Sequence, residues 1–251
     1  MNQIKDISAF VEGFAPLGSA MDFDNVGLLV GDGESDVTRV LVALDITPEV
    51  IIEAEDFGAQ LIISHHPVIF DPLRSIAPDS VVYKLIERRI SALCLHTNLD
   101  LSPIFGVNTC LADAVGVRNY SFVEGECLLI GELEKEISCR EFAETVKAAL
   151  GCGGLRFTNP EKRVKKVAIC SGSGGDLVFS AKENSADVLL TGEIKHHEIL
   201  DANRIGTAVV EAGHFHTENI VVAPFAKKLA EAFPELSVRA SEKCTDGIHF
   251  I

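Results

Sequence analysis

An α/β fold of two related halves, with mostly parallel sheets and flanking helices, is predicted by three observations. Unbroken β-branched and aliphatic runs alternate with segments of helical spacing, the pattern occurs twice, and both occurrences end in histidines. Such alternation marks parallel strands joined by crossover helices. Strands covered on both faces read as continuous apolar runs.

In chain order, Ile4, Ile7, Phe10, Val11 and Phe14 predict an amphipathic helix over 3–15. "VTRVLVALDIT" reads as a buried strand. Pro48 then sits where a first helical turn tolerates it, and "PEVIIEAEDFG" predicts a helix closed by Gly58. "AQLIIS" is a second strand, "DSVVYKLIERR" a helix opened by Asp79 or Ser80, and "ISALCLH" a third strand. "NYSFVEGECLLIGELEKEIS" suggests a strand with its turns, and "CREFAETVKAALG" a helix. The pattern then repeats: residues 37–70 align with 164–200, with Val40 on Val167 and Ala59 on Ala186, an offset of 127 in both cases. The strand "TAVVEAG" follows, then "HTENIVVAPFAKKLAEAF", a helix running into Pro234. With no low-complexity linker in mid-chain, the halves are expected at 1–125 and 126–251, the C-terminal segment packing back on the first.

The 251 residues are 47% apolar and 24% charged, which suits a large folded core rather than disorder. Basic residues number 22 and acidic ones 37, a net charge of −15. Such a surface repels phosphate backbones and anionic membranes, so neither nucleic acid nor membrane is expected as a partner. Cys94, Cys110, Cys127, Cys139, Cys152, Cys170 and Cys244 form no C-x-x-C pair and are odd in number, as expected of reduced thiols in the cytoplasm. The N-terminal segment lacks a signal-peptide layout, and no apolar run reaches the roughly 18 to 20 residues that span a bilayer.

The chemistry sits at strand ends, where open α/β sheets bind ligands. "LIISHHPVIF" leaves a core strand with His65 and His66 side by side. His96 with Asp100 follow the third strand, and His214, His216 and Glu218 follow its counterpart. Past a strand end the alternation of faces lapses, so two adjacent histidines can share one cavity. A helical i, i+4 spacing puts His214 and Glu218 on one face. Imidazole with carboxylate and no thiolate suits zinc, manganese, iron or cobalt and fits calcium poorly. Two such ions would activate water and polarise a phosphoryl or carbonyl oxygen.

Other residues stay open. Asp45 is expected either to orient a metal-bound histidine or to cap a helix, with Thr47 better placed for the cap. "SGSGG" at 171–175 is either a tight turn or a phosphate cradle. Asn25 and Gly27 lie in a loop-to-strand turn or reach the pocket. His196 and His197 read as pocket-lining rather than ligating. No G-x-S-x-G elbow is present.

The stretches "FDNVGLLVGD", "LIISHHPVIF", "HTNLD", "SGSGG", "GEIKHH" and "GHFHTE" occur in order over almost the whole chain. On these the sequence resembles the Nif-three-like (NGG-interacting-factor-three-like) proteins, many of which bear the name GTP cyclohydrolase type-two homologue. The resemblance implies two divalent metal ions per chain, zinc, iron or manganese, held by His65, His66, Asp100, His214 and Glu218. His96 is outside that set and becomes the candidate acid or base, with Glu218 as the second catalytic candidate and bridging carboxylate. A toroidal homohexamer is implied, and the chain looks like the short form without an inserted domain. The expected function is a dinuclear metal-dependent hydrolase of a nucleotide-like or phosphorylated small molecule, GTP ring opening being its most specific form. The alternative is a non-catalytic protein that binds or delivers metal or acts as a ring-shaped adaptor.

Overall fold

A computed structural model describes residues 2–251. In chain order the elements begin with α1 (Ile4–Glu12), β1 (Gly27–Val30), β2 (Arg39–Ala43), α2 (Pro48–Phe57), β3 (Leu61–Ser64), α3 (Val81–Arg88) and β4 (Ser91–Cys94). They continue with α4 (Thr97–Asp100), α5 (Val107–Ala114), β5 (Val117–Phe122), β6 (Leu129–Ser138), α6 (Cys139–Leu150), β7 (Arg156–Phe157) and β8 (Arg163–Cys170). The last are α7 (Val178–Glu183), β9 (Val188–Thr191), α8 (His196–Ile205), β10 (Ala208–Glu211), α9 (His214–Asn219), α10 (Val222–Ala232) and β11 (Ser237–Ala240).

The chain forms two compact units, residues 1–102 with 221–245 and residues 103–220 with 246–251. These limits differ from the expected 1–125 and 126–251. Residues 103–125 go with the second unit because β5 pairs antiparallel with β6. Residues 221–245 go with the first because β11 adds parallel to β2, Val238 opposite Val40.

The first unit holds a five-stranded sheet ordered β1-β4-β3-β2-β11, parallel except for β1. All four residues of β3 and of β4 are buried, which explains their unbroken apolar runs. Thr47 accepts from Val50 N at the start of α2, Pro48 takes its first turn, and Gly58 closes it at φ 71°. The second unit holds six strands ordered β5-β6-β8-β9-β10-β7, where β8, β9 and β10 are parallel and the flanking strands antiparallel. Alternate residues of its central strands face opposite cores. Val167, Ile169, Val188 and Leu190 pack with α5 and α6, while Ala168, Cys170 and Leu189 pack with α7 and α8. The antiparallel flanks of this sheet go beyond the mostly parallel pattern that the sequence predicts.

Each unit contains one and the same motif. β2-α2-β3-α3-β4 in the first corresponds to β8-α7-β9-α8-β10 in the second, and an antiparallel strand lies beyond the third strand of each, β1 or β7. Val40 faces Leu61 and Val167 faces Val188, so the first two strands keep the offset of 127 (167 − 40 and 188 − 61). Leu61 faces Ser91 and Val188 faces Ala208, so the third strand falls to 117 (208 − 91). The second connection is ten residues shorter in the second unit.

Candidate metal centre

In the first unit the loops that leave β3 and β4 bring three imidazoles together. His65 N donates to Ala43 O and His66 N to Leu44 O, so the backbone stays tied to the end of β2 while both side chains turn to one side. The ring centroids of His65 and His66 are 5.1 Å apart, and His96 lies 5.2 Å from the first and 5.7 Å from the second. One nitrogen of each ring can be chosen so that the three lie within 4.8 Å of one another, a group able to hold a metal ion. Asp100, buried at the end of α4, places Oδ1 3.6 Å from His65 Nε2.

An oxygen meets Nδ1 of every ring in this group. Leu95 O is 2.9 Å from His65, Asp45 Oδ1 2.7 Å from His66, and Asp24 Oδ1 2.8 Å from His96. Metal-ligating histidines commonly engage carboxylates or carbonyls in this way, which fixes the tautomer and the ring orientation. Asp45 thus orients His66, and Thr47 supplies the cap. Asp24 is the residue that sequence reasoning missed. Its side chain is fully buried, and it also accepts from Thr97 N at 2.9 Å and Thr97 Oγ1 at 2.5 Å. Burial pushes its carboxyl up, but the bonds from His96 and Thr97 outweigh this and hold it well below the usual carboxylate range. Its partners lie 72 and 73 positions away, and no local pattern announces them. The same burial, with Asp24 and Asp100 nearby, pushes the Cys94 thiol far up, so it is no nucleophile.

In the second unit, β10 leads through Gly213 (φ 87°) into α9. His214 Nε2 stands 3.0 Å from Glu218 Oε2, one helical turn on, and His214 Nδ1 3.3 Å from Glu193 Oε1. The expected single helix over 216–233 begins instead at His214 and breaks after Asn219. Room for the Glu218 carboxylate depends on Gly172, at φ 60°, where a Cβ would lie 2.1 Å from Glu218 Oε1. Gly192 is equally confined, with Gly172 O at 2.6 Å and His214 Cα at 2.8 Å from a Cβ there.

Three N–H groups of the glycine loop are already engaged: Ser171 with Asn108 Oδ1, Gly172 with Thr217 Oγ1 and Gly174 with Thr191 Oγ1. The loop is a close-packed turn bonded to its own unit. Asn25 Nδ2 donates to Ile69 O, tying its loop to the one after His66. His196 and His197 open α8 as exposed residues outside any metal-binding group found among the described residues. His216 pairs with Asp246, 3.2 Å away.

A cavity of about 490 Å³ in the second unit opens onto His214, with Ser173, Asp176, Glu193, Lys195 and Glu198 in its wall. That volume is in the range of small-molecule sites. No helix among the described residues is long and apolar enough to cross a membrane.

Comparison with known proteins agrees with this architecture. A protein of Clostridium perfringens named GTP cyclohydrolase 1 type 2 homolog is 34% identical over 262 residues, covering 99% of this chain and 100% of that protein. The crystal structure of a hypothetical protein of Staphylococcus aureus matches with a TM-score of 0.93 and 30% identity over 99% of both chains. That of a Bacillus cereus protein related to NIF3 matches at 0.91 with 25% identity, over 100% of this chain and 99% of that one. The family model described as Duf34/NIF3 (NGG1p interacting factor 3) matches residues 2–246, and the chain belongs to that family.

Proposed function

We propose that the protein is a dinuclear metal-dependent hydrolase acting on a nucleotide-like or phosphorylated small molecule, with opening of the GTP ring as the most specific form of that activity. The observation that carries this reading is the group of three imidazoles, each with Nδ1 at an oxygen acceptor and one nitrogen of each within 4.8 Å of the others. The donor set is all nitrogen and oxygen, which suits zinc, iron or manganese. His65, His66 and Asp100 are the proposed donors of the first unit, and His214 and Glu218 those of the second. Bound ions would supply an activated water and a Lewis acid for the oxygen of the scissile group.

The chain's own residues do the rest. Asp45 and the Leu95 carbonyl hold the His66 and His65 rings in one tautomer, so their lone pairs are presented without reorganisation. His96, held by Asp24, is the candidate to give or take a proton. The cavity beside His214 supports a small substrate rather than a polymer. A toroidal homohexamer belongs to this reading, and light scattering tests it.

Elemental analysis of protein purified without added metal gives about two ions per chain on this proposal. His65→Ala and Glu218→Gln each lower that ratio and abolish hydrolysis across a panel of nucleoside triphosphates and phosphomonoesters. A wild-type ratio near zero overturns the reading. Hydrolysis unchanged in Glu218→Gln while metal content falls removes the catalytic part.

A further inference from the structure

Two large aromatic rings of the first unit stand in solvent beside the imidazole group. Phe23 is 63% exposed and Phe70 47%. Their centroids are 6.4 Å apart with the planes tilted 47°, and Phe70 lies 6.4 Å from the His96 ring, nearly perpendicular to it at 80°. Neither belongs to a helix or strand, yet the chain around both is tied down. Asp24, next to Phe23, binds His96 and Thr97. Asn25 Nδ2 donates at 2.6 Å to the carbonyl of Ile69, next to Phe70. The two loops flanking the histidines are therefore stapled together, and the rings ride on the staple.

Phenylalanine is normally an interior residue, and an exposed apolar surface rimmed by polar groups marks a binding site. We propose that Phe23 and Phe70 form an aromatic platform that takes the flat heteroaromatic ring of the substrate beside the His65–His66–His96 group. This rests on the metal-hydrolase reading for that group and narrows its substrate class: the molecule carries a base-like ring, and a bare sugar phosphate is a poor ligand. An aromatic face stacks on the π-face of any base, while a phosphate or sugar gains little from it. The net charge of −15 gives the chain's surface no general attraction for phosphate, and only a ligand with a ring gains the stack in addition to any hold by the ions.

The test is calorimetric titration of the metal-loaded protein with guanosine monophosphate and with ribose phosphate. Wild-type protein binds the nucleotide tighter than the sugar phosphate. Phe23→Ala and Phe70→Ala weaken nucleotide binding by roughly five- to 150-fold, the range for losing one base–aromatic stack, and leave sugar phosphate binding as it was. Phe70→Tyr keeps the affinity and Phe70→Leu does not. Equal binding of the two probes, unchanged affinity in the alanine variants, or a leucine variant as good as wild type each overturns the platform. So does loss of subunit assembly in the variants by light scattering, which would assign the rings to a contact between copies of the chain. Nucleotide binding that depends on both rings in a protein carrying no metal keeps the platform and removes the hydrolase reading instead.

Discussion

An imidazole presents a lone pair on one nitrogen only when the other holds the hydrogen, and the partner of the second nitrogen decides which is which. His65, His66 and His96 are decided alike, by the Leu95 carbonyl, Asp45 and Asp24. Asp24 carries a consequence for stability because its side chain is fully buried and multiply bonded. Its carboxyl titrates lower in the folded chain than in the unfolded one, where the value is about 3.9. It therefore contributes stability that is fully present above about pH 4 and is lost as the pH falls through the folded value. Asp24→Asn removes that contribution. The urea midpoint of the variant is expected below wild type at pH 7, with the gap closing as the pH drops below about 4 toward the folded value. A gap that stays constant across that range contradicts the assignment of Asp24 as a buried anion.

At the scale of elements, the loops after β8 and β9 are built around close approaches that only glycine permits, and two glycines of similar backbone separate crowding from strain. Gly172 (φ 60°) faces the Glu218 carboxylate at 2.1 Å from a built Cβ, whereas Gly206 (φ 76°), closing α8, meets nothing within 4 Å. Gly206→Ala is expected to cost about 1–2 kcal/mol from the left-handed backbone alone and to retain bound metal. Gly172→Ala carries the same strain and also displaces Glu218, so it loses more stability in urea denaturation and loses metal by elemental analysis. Equal metal content in the two variants excludes Glu218 as a donor. Elements that bury whole runs were legible in the sequence: β2, β3, β4, β8, β9 and β10, with the caps at Thr47, Gly58 and Ser80. The two-residue β7 and the half-exposed β11 were not, because neither carries enough apolar pattern to stand out. Nor was α4, whose four residues are all buried and so lack an exposed face. The repeat misled in one respect. By the strand offsets, the counterparts of His65 and His66 are Gly192 and Glu193 (65 + 127 and 66 + 127), and that of Thr97 is His214 (97 + 117). His196 and His197, which end the second occurrence of the pattern, therefore do not correspond to the first pair. The proposed donors His65, His66, Asp100, His214 and Glu218 could be named from the sequence because they follow strand ends, whereas Asp24 could not, because its bonds exist only once β4 has been placed.

At the scale of the whole molecule, the sheet of the first unit is one that no continuous stretch of chain can make. Residues 1–102 hold β1 to β4, but the sheet is completed by β11 alongside β2, and α10 packs on both, with Val222, Phe225, Ala226 and Leu229 buried. Burying a large aliphatic or aromatic side chain contributes about 1.5–3 kcal/mol, so Val222, Phe225 and Leu229 together supply on the order of 5–9 kcal/mol. That is comparable with the entire 5–15 kcal/mol of net stability usual for a domain. A fragment of residues 1–102 therefore lacks the margin to fold and leaves the parallel edge of β2 open to pairing with other chains. Alone, it is expected to show no cooperative urea transition by circular dichroism and to aggregate. Co-expressed with residues 221–245, it is expected to regain a sigmoidal transition and remain dispersed. Cooperative unfolding of the 1–102 fragment by itself would mean that the C-terminal helix and strand decorate an already complete core. The His65–His66–His96 group would then form without them, and its imidazole spacing would owe nothing to the return of the chain.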